Sequence, residues 1–519
     1  MKRIIQITAM ASCIFALSSQ AVIAKSGLQS LSDEEMSEAE GQALLNLGYT
    51  APTGASNSVT DFGFYKLGLE GELEINANIR NLQLGCGGVN GAGACDIDME
   101  NVALSGLPDS YAADGTPQWD NGRASSSATI TNPFIEFAIR NPTSSALREV
   151  SGIRLSADQI SGLLTAGIEN KGSGQTTTDG IKSFSGYLQV ANTPVTSRTE
   201  ASIFGKTYDQ MIYAQVDTDL GSSSVFSNVQ GMNGGASPPS GTQWGTKVAE
   251  QAVNFIFPQT TIQGNRMSQL NLVVEGVPIN PIAISAADGA LYMRLVDPIL
   301  WVNNSTFYMG EEGSNSWTVK DCAISATAAS CGLTAQQKTW NNNLRNAGIP
   351  VGQMGCVNSS NAYAPNACTY ITNLKANVTV KQNFNLVHNL PIESGGYLSL
   401  QKESIKWPGA NSDDIAQRGW WMSFQDPLDF GALNPTERIS MQDVLPQIAT
   451  LITNYLATPA GEIHLDFGEA LNAAFGLPLY KPLGNIDVTG KPAVLTLENL
   501  PLDNHQAVVS NCWGNLKFC

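Results

Sequence analysis

Between Tyr65 and Ile79 the odd positions read Tyr65, Leu67, Leu69, Gly71, Leu73, Ile75, Ala77 and Ile79. The even positions carry Lys66, Gly68, Glu70, Glu72, Glu74, Asn76 and Asn78. Successive side chains of a strand point to opposite faces, so this period of two predicts a strand with one apolar and one polar face. At about 3.3 Å per residue it would extend roughly 50 Å. That is far longer than an ordinary strand, and it predicts a large or strongly curved sheet, or a bend near Gly68 or Gly71.

A glycine-rich segment, Gly85 to Cys95, leads into a return strand from Asp96 to Gly106. The loop lacks a Gly-Lys-Ser/Thr step and is followed by a strand, so it is no phosphate cradle; a disulfide-closed hairpin accounts for its glycines. Both strands of the hairpin slip their alternation at an Asn, in Ile79-Arg80-Asn81-Leu82-Gln83-Leu84 and in Met99-Glu100-Asn101-Val102-Ala103-Leu104. The same form recurs around Asn373, Asn389 and Asn499. It predicts a reused β-bulge, because Asn tolerates the backbone a bulge demands. The uneven spacing excludes a strict solenoid.

Further strands are predicted at 134–140, 150–156, 185–190, 210–216, 270–277, 290–296, 377–390, 396–406 and 494–502, several of them separated by turn pairs such as Asn141-Pro142 and Asp288-Gly289. Leu220 to Gly245 reads as an exposed loop. Helices are predicted at 334–347 and 440–456; in the second, Val444, Ile448, Leu451, Ile452 and Tyr455 share one face and Pro446 lies near the start. The organisation expected is a signal peptide over 1–24, a capped helix and linker over 25–60, a β-rich domain over 61–300, a disulfide-bearing insertion over 301–375 and a C-terminal β region over 376–519.

The signal reading rests on Lys2-Arg3, the apolar run Ile4 to Leu17 and the small-residue segment Ala21 to Ala24, too short for a lasting membrane span. A lipoprotein signal at Cys13 would leave only Ile4 to Ala9 as its apolar core. Cleavage after Ala24 removes Lys2 and Arg3 and no acid, taking the net charge from −17 to −19. Nucleic acid and anionic membrane surfaces require a basic footprint and are excluded as partners. Charged residues are 14% and hydrophobic ones 42%, an extracellular β-rich composition with ample material for a core.

Of nine cysteines, Cys13 leaves with the signal. The others fall into local couples, Cys86 with Cys95, Cys322 with Cys331, Cys356 with Cys368 and Cys512 with Cys519. In an exported protein these couples predict disulfides, although eight cysteines allow 105 connectivities. Staples over such short loops are worth about 2–3 kcal/mol each. No couple has the two-residue spacing of a zinc knuckle.

Ser32-Asp33-Glu34-Glu35 is a capping box that starts a short helix ending before Gly41. Leu31-Ser32-Asp33-Glu34-Glu35-Met36 followed by Gly41-Gln42-Ala43 resembles the segment after the signal peptide in a group of secreted gammaproteobacterial proteins, among them components of the Fil-type pilus system. The resemblance covers about fifteen residues, implies surface or fibre association in a Gram-negative cell, and carries no catalytic residues.

Three histidines exist, His388, His464 and His505, and there is no Gly-x-Ser-x-Gly elbow, so an extracellular hydrolase would need scattered parts. Glu462, His464 and Asp466 alternate as a metal site would, and as a solvated face does. Glu70, Glu72 and Glu74 line one face, as do Asp96, Asp98 and Glu100; calcium favours such oxygens, but neither run has the glycine turn of a calcium loop. Trp301, Trp407-Pro408-Gly409 and Trp420-Trp421 offer either core packing or an aromatic platform for a glycan or a partner protein.

The expected fold is all-β or β-dominated, a large antiparallel β-sandwich or curved sheet with a disulfide-rich insertion and a few short helices. A transmembrane barrel is the structural alternative; the cysteine tail and the rarity of regular alternating segments of about ten residues argue against it. The expected function is that of a non-enzymatic secreted or cell-surface structural or adhesion protein, with other surface or fibre proteins as partners. The alternative is a periplasmic or outer-membrane carrier of lipid or another apolar ligand. What the stripe from Tyr65 to Ile79 packs against separates the two.

Overall fold

The long alternating stretch is divided. In the computed structural model of this chain, β1 (Leu45–Thr50) is followed by β2 (Gly63–Leu69), β3 (Glu72–Ile75) and β4 (Ala77–Leu84). The structure describes residues 45–55, 58–88, 91–167, 180–219, 221–228, 245–295, 305–433, 438–490, 492–498, 502–503 and 506–511. The chain divides into two compact units, 1–46 and 47–519; Leu45 and Asn46 are the described residues of the first, and every other described residue belongs to the second. The signal segment, the helix capped by Ser32, Trp301, Asn499, His505, Cys512 and Cys519 lie outside the described residues.

The first cut falls at Gly71, where the backbone crosses Asn132 of the neighbouring strand. Asn132 N–H donates to the Gly71 carbonyl at 2.8 Å, and Gly71 N–H donates to Asn132 Oδ1 at 3.1 Å. Asn132 sits at φ +50°, a left-handed conformation that Asn tolerates, and its Nδ2 donates to Asp158 Oδ2 at 3.0 Å on the next strand. One bend line therefore crosses several strands at Gly71, Asn132 and Asp158. Apolar cross-strand pairs shift there from odd positions, Ile135 with Leu155, to even ones, Ile130 with Ile160.

The rest of this sheet comprises β5 (Ile97–Ser105), β6 (Ala128–Arg140), β7 (Glu149–Thr165), β8 (Ile181–Val190), β9 (Thr260–Met267), β10 (Asn389–Ile392), β11 (Gly396–Gln401) and β12 (Gly419–Phe424). The order is β1-β2-β6-β7-β11-β12-β8-β5-β4, with β3 beside β6, β9 beside β8 and β10 beside β7. From β2 onward neighbours are antiparallel except β8 and β12, which pair in parallel at Gly186 and Met422. The far end of β7 also pairs with β5, Ala103 opposite Thr165, so β7, β11, β12, β8 and β5 close a hydrogen-bonded circuit and the sheet curls on itself. Strands from the 61–300 and 376–519 regions are interleaved in this one sheet.

The β4–β5 hairpin corrects one expectation. Its register is unchanged through the Asn slip, Ile79 opposite Val102 and Asn81 opposite Glu100, so no residue is inserted. Asn101 is left-handed, as is Asn373, whereas Asn81 and Asn389 are not. Both strands change faces at facing positions, so the hairpin bends as a pair and no bulge is needed.

The main core gathers Ile97, Met99, Phe184 and Leu188 of this sheet with the strands Gln269–Pro278 and Lys375–Asn383. The first helix, α1 (Ala335–Asn346), starts from a Thr334 capping box completed by Gln337 and buries Leu344 against Val319 and Val357. The second, α2 (Leu445–Leu456), buries Leu445, Ile448, Ala449, Ile452 and Leu456. A third helix, α3 (Phe467–Ala474), was not expected; Asp466 caps it and Glu469 completes the box, a signal hidden by the alternation of Glu462, His464 and Asp466. Disulfides join Cys86 to Cys95, Cys322 to Cys331 and Cys356 to Cys368. The fold is β-dominated, as expected.

Gly186 allows the parallel approach of β8 to β12, since a Cβ there would collide with the Met422 carbonyl and the Phe184 ring. Gly186→Ala is expected to cost about 2–3 kcal/mol or more, read as a lowered urea midpoint at unchanged slope.

Candidate functional site: an open apolar face over a buried ion pair

Directly opposed residues of an antiparallel pair share a face. The registers therefore align one row, Tyr65, Phe137, Ile153, Leu400 and Trp420, across β2, β6, β7, β11 and β12. The next row is Leu67, Ile135, Leu155, Leu398 and Met422. Tyr49 of β1 extends the first, its ring centroid 4.7 Å from that of Tyr65. Toward β12 the rows are covered, with Leu398, Trp420 and Met422 packed against the main core. Toward β1 they are open: Tyr65, Leu67, Ile135, Phe137, Leu155 and Leu400 are each 37–47% exposed. On the order of 500 Å² of contiguous apolar surface is left in water, at the upper end of what monomers carry.

The opposite face holds the charges; its central pair is buried, while Lys66 and Asp158, 3.5 Å apart at its edge, remain partly exposed. Glu136 and Arg154 are cross-strand partners on β6 and β7, buried, and joined by an ion pair of 2.6 Å. The Arg154 guanidinium lies 5.2–5.5 Å from the ring centroids of Phe134, Tyr397 and Trp407, so aromatic faces supply the rest of its environment. Burial pushes the Glu136 carboxyl up and pulls the Arg154 guanidinium down, each opposed by the charge of the other.

Residues 402–418 cross this face as a strap. Ile405 and Ala416 bridge to each other, and Trp407 enters a cluster with Phe62, Phe64, Tyr187, Tyr397 and Trp421. Asp414, fully buried, accepts from the Tyr397 hydroxyl at 2.7 Å, Ser423 Oγ at 2.6 Å and Trp421 Nε1 at 3.1 Å. Burial raises its pKa, and those three donors work against the rise. At the start of the strap Glu403 accepts from Arg140 Nη2 at 2.7 Å and Nε at 3.1 Å and from Ser151 Oγ at 2.7 Å. The Arg140 guanidinium holds the Glu403 carboxyl below its usual range.

The residues singled out from sequence are dispersed. Asp96 accepts the Trp420 backbone N–H at 3.0 Å, Asp98 accepts from Gln83 at 3.2 Å, and Glu100 pairs with Lys182 at 2.5 Å. Each of the three calcium candidates thus serves a different structural partner. Among the described residues no group of three His, Cys, Asp or Glu is arranged to hold a metal. Asp466 is a helix cap, while His464 is exposed and lies 3.5 Å from Asp217. His388 is buried, with Nδ1 2.7 Å from the Ala166 carbonyl. Trp407 and Trp421 are core residues, and Trp420 is partly covered.

Sequence reasoning missed Glu136, Arg154 and Asp414. A signal existed at the first: Phe134 and Ala138 flank Glu136 on its own face while Ile135, Phe137 and Ile139 occupy the other, the mark of a strand covered on the side that carries its one charge.

No protein-family model, no curated protein and no solved structure matches this chain.

Removing one member of a buried pair strands the other. Arg154→Ala is expected to cost about 3–5 kcal/mol in denaturant unfolding, and Arg154→Met with Glu136→Leu to recover most of it. Glu403 has a depressed folded pKa, so its contribution is present above the unfolded value of about 4.3 and is lost as pH falls through the folded one. Glu403→Gln is therefore expected to lower the Tm at pH 7, with the gap from the parent protein closing below about pH 4.

Proposed function

We propose that this chain is an exported, non-enzymatic structural protein built into a cell-surface assembly through the open apolar face of its sheet. The observation that carries this reading is the two-row apolar surface around Tyr65, Leu67, Ile135 and Phe137, left in water while Glu136 and Arg154 on the opposite face are buried. Covering on the order of 500 Å² of it would contribute about 10 kcal/mol gross, enough to offset part of the cost of association.

The occupant is another protein chain. Strand β1 ends the sheet among the described residues, and from Leu47 to Thr50 it carries neither charge nor proline, the two devices that usually guard an edge. A partner strand laid beside it would gain main-chain hydrogen bonds while its own apolar side chains meet Tyr49 and Tyr65. The resemblance of residues 31–43 to secreted pilus-associated proteins supports the same assignment. Disulfides fit an oxidising, exported compartment.

Carriage of an apolar ligand is the second reading. It is favoured by the way the rows pass without interruption from the open side into the core at Leu398 and Met422.

Leu67→Glu with Ile135→Lys changes exposed positions only, and is expected to leave the Tm within about 1–2 °C while abolishing self-association or incorporation into surface material. Light scattering on the purified chain and immunogold labelling of intact cells measure this. Unchanged assembly in the double variant overturns the reading. Lipid retained by the parent protein in native mass spectrometry, and lost in the variant, moves the assignment to the carrier.

A further inference from the structure

Arg123, in the single turn Arg123–Ser125, is 2% exposed. Its Nε donates to Ser105 Oγ at 2.9 Å, Nη1 to the Val509 carbonyl at 2.8 Å and Nη2 to Thr165 Oγ1 at 3.0 Å. All three acceptors are neutral. Among the described residues no carboxylate lies within ion-pair distance, and burial alone pulls the guanidinium down to about 10. A guanidinium has five N–H groups, so two remain without a partner among the described residues. In a chain with 45 acidic and 28 basic residues, a buried base left without an acid needs an explanation.

A cavity of about 380 Å³ opens beside it. Arg80 and Asn101 supply further donors to its lining, Val102, Ala103 and Val508 supply an apolar wall, and among the described residues no Asp or Glu lines it. The wall is preformed. Asn511 Nδ2 donates to Asn76 Oδ1 at 2.9 Å and Asn78 Oδ1 at 3.1 Å, and Asn78 Nδ2 returns a bond to the Asn511 carbonyl at 3.1 Å. Buried Gln506 ties the same segment to the backbone of Asn389 and Phe430. The extended chain from Gln506 to Asn511 is thus held as one side of a cavity whose floor is positive.

We infer that this cavity binds a small organic carboxylate, with the two unused N–H groups of Arg123 on the carboxylate oxygens and the apolar body of the ligand against Val102, Ala103 and Val508. A planar fork of donors matches a carboxylate, and bringing the missing negative charge to a desolvated guanidinium removes the penalty that burial imposed. The volume suits a ligand of modest size, and one acid-free fork with Arg80 at the rim favours a monoanion over phosphate.

Isothermal titration of the purified full chain with sodium benzoate, against benzamide as the uncharged isostere, tests this. Saturable binding of benzoate at one site is expected, with benzamide at least about tenfold weaker. Arg80→Gln is expected to weaken benzoate several-fold and to leave benzamide unchanged. Arg123→Gln is expected to abolish benzoate binding, but it also releases Val509; Ser510→Trp, at the exposed rim, closes the cavity without touching Arg123 and is expected to have the same effect. The carboxylate can belong to a free acid or to a chain terminus: acetyl-Val-Val acid binding more tightly than benzoate assigns a protein C-terminus, and the reverse assigns a free acid. Absence of saturable benzoate binding, equal affinity for benzamide, tighter binding of inorganic phosphate, or indifference to both Arg80→Gln and Ser510→Trp overturns the assignment.

Discussion

The pairing of Arg154 with Glu136 decides which side of the large sheet is dry. Two charges taken out of water cost several kcal/mol each, and their attraction repays this only with good geometry and a satisfied surrounding. Here the partners face each other across adjacent strands and aromatic rings box the guanidinium, while Arg154 Nε has no hydrogen-bond partner among the described residues, so the pair rests mainly on its charge attraction and the aromatic faces. That box requires Trp407, Trp407 belongs to the 402–418 strap, and the strap is pinned through Asp414 and Glu403. Once this side is sealed, the alternation of the strands leaves Tyr65, Leu67, Ile135 and Phe137 on the side that faces water.

Solubility and stickiness are thereby separated in space. The net charge of −17 keeps most of the surface solvated and mutually repulsive, while the apolar rows and the unguarded edge at β1 are confined to one end of the sheet. A surface arranged in this way gives directional association. The Arg123 cavity lies elsewhere, between β4, β5 and the C-terminal segment, and stands on a separate imbalance: a buried base with neutral partners.

Much of the architecture was legible locally. The helix expected at 334–347 is α1, the 3.6-residue spacing around Ile448 and Ile452 announced α2, and short cysteine spacings matched the three disulfides formed among the described residues. Alternation identified β2 to β8 and β11 of the large sheet; it did not announce β9 or β12, and Gly221–Asn228, read as part of a loop, is a strand. Nor did alternation show that Gly71 meets Asn132 and Asp158 on one bend line, because that alignment depends on residues about 60 and 90 positions away in the chain. The sequence left open whether the apolar stripe is covered, and the buried charges of the candidate site were not legible in it. Charges on alternate strand positions default to a solvated face, and nothing local to Glu136 or Arg154 states that a strap more than 200 residues later will cover them.

The sequence by itself determined a β-dominated chain, the hairpin at Cys86–Cys95, and the existence of a long stripe with one apolar face. Those follow from side-chain periodicity and short-range spacing, which act between residues close in the chain. The tertiary structure alone decided that Glu136 and Arg154 are buried, that the apolar rows toward β1 are open, and that Arg123 sits beside a cavity with no Asp or Glu among its described lining residues. Each of these is a matter of which distant segment arrives to cover a surface, and covering is a property of packing in three dimensions that periodicity does not encode.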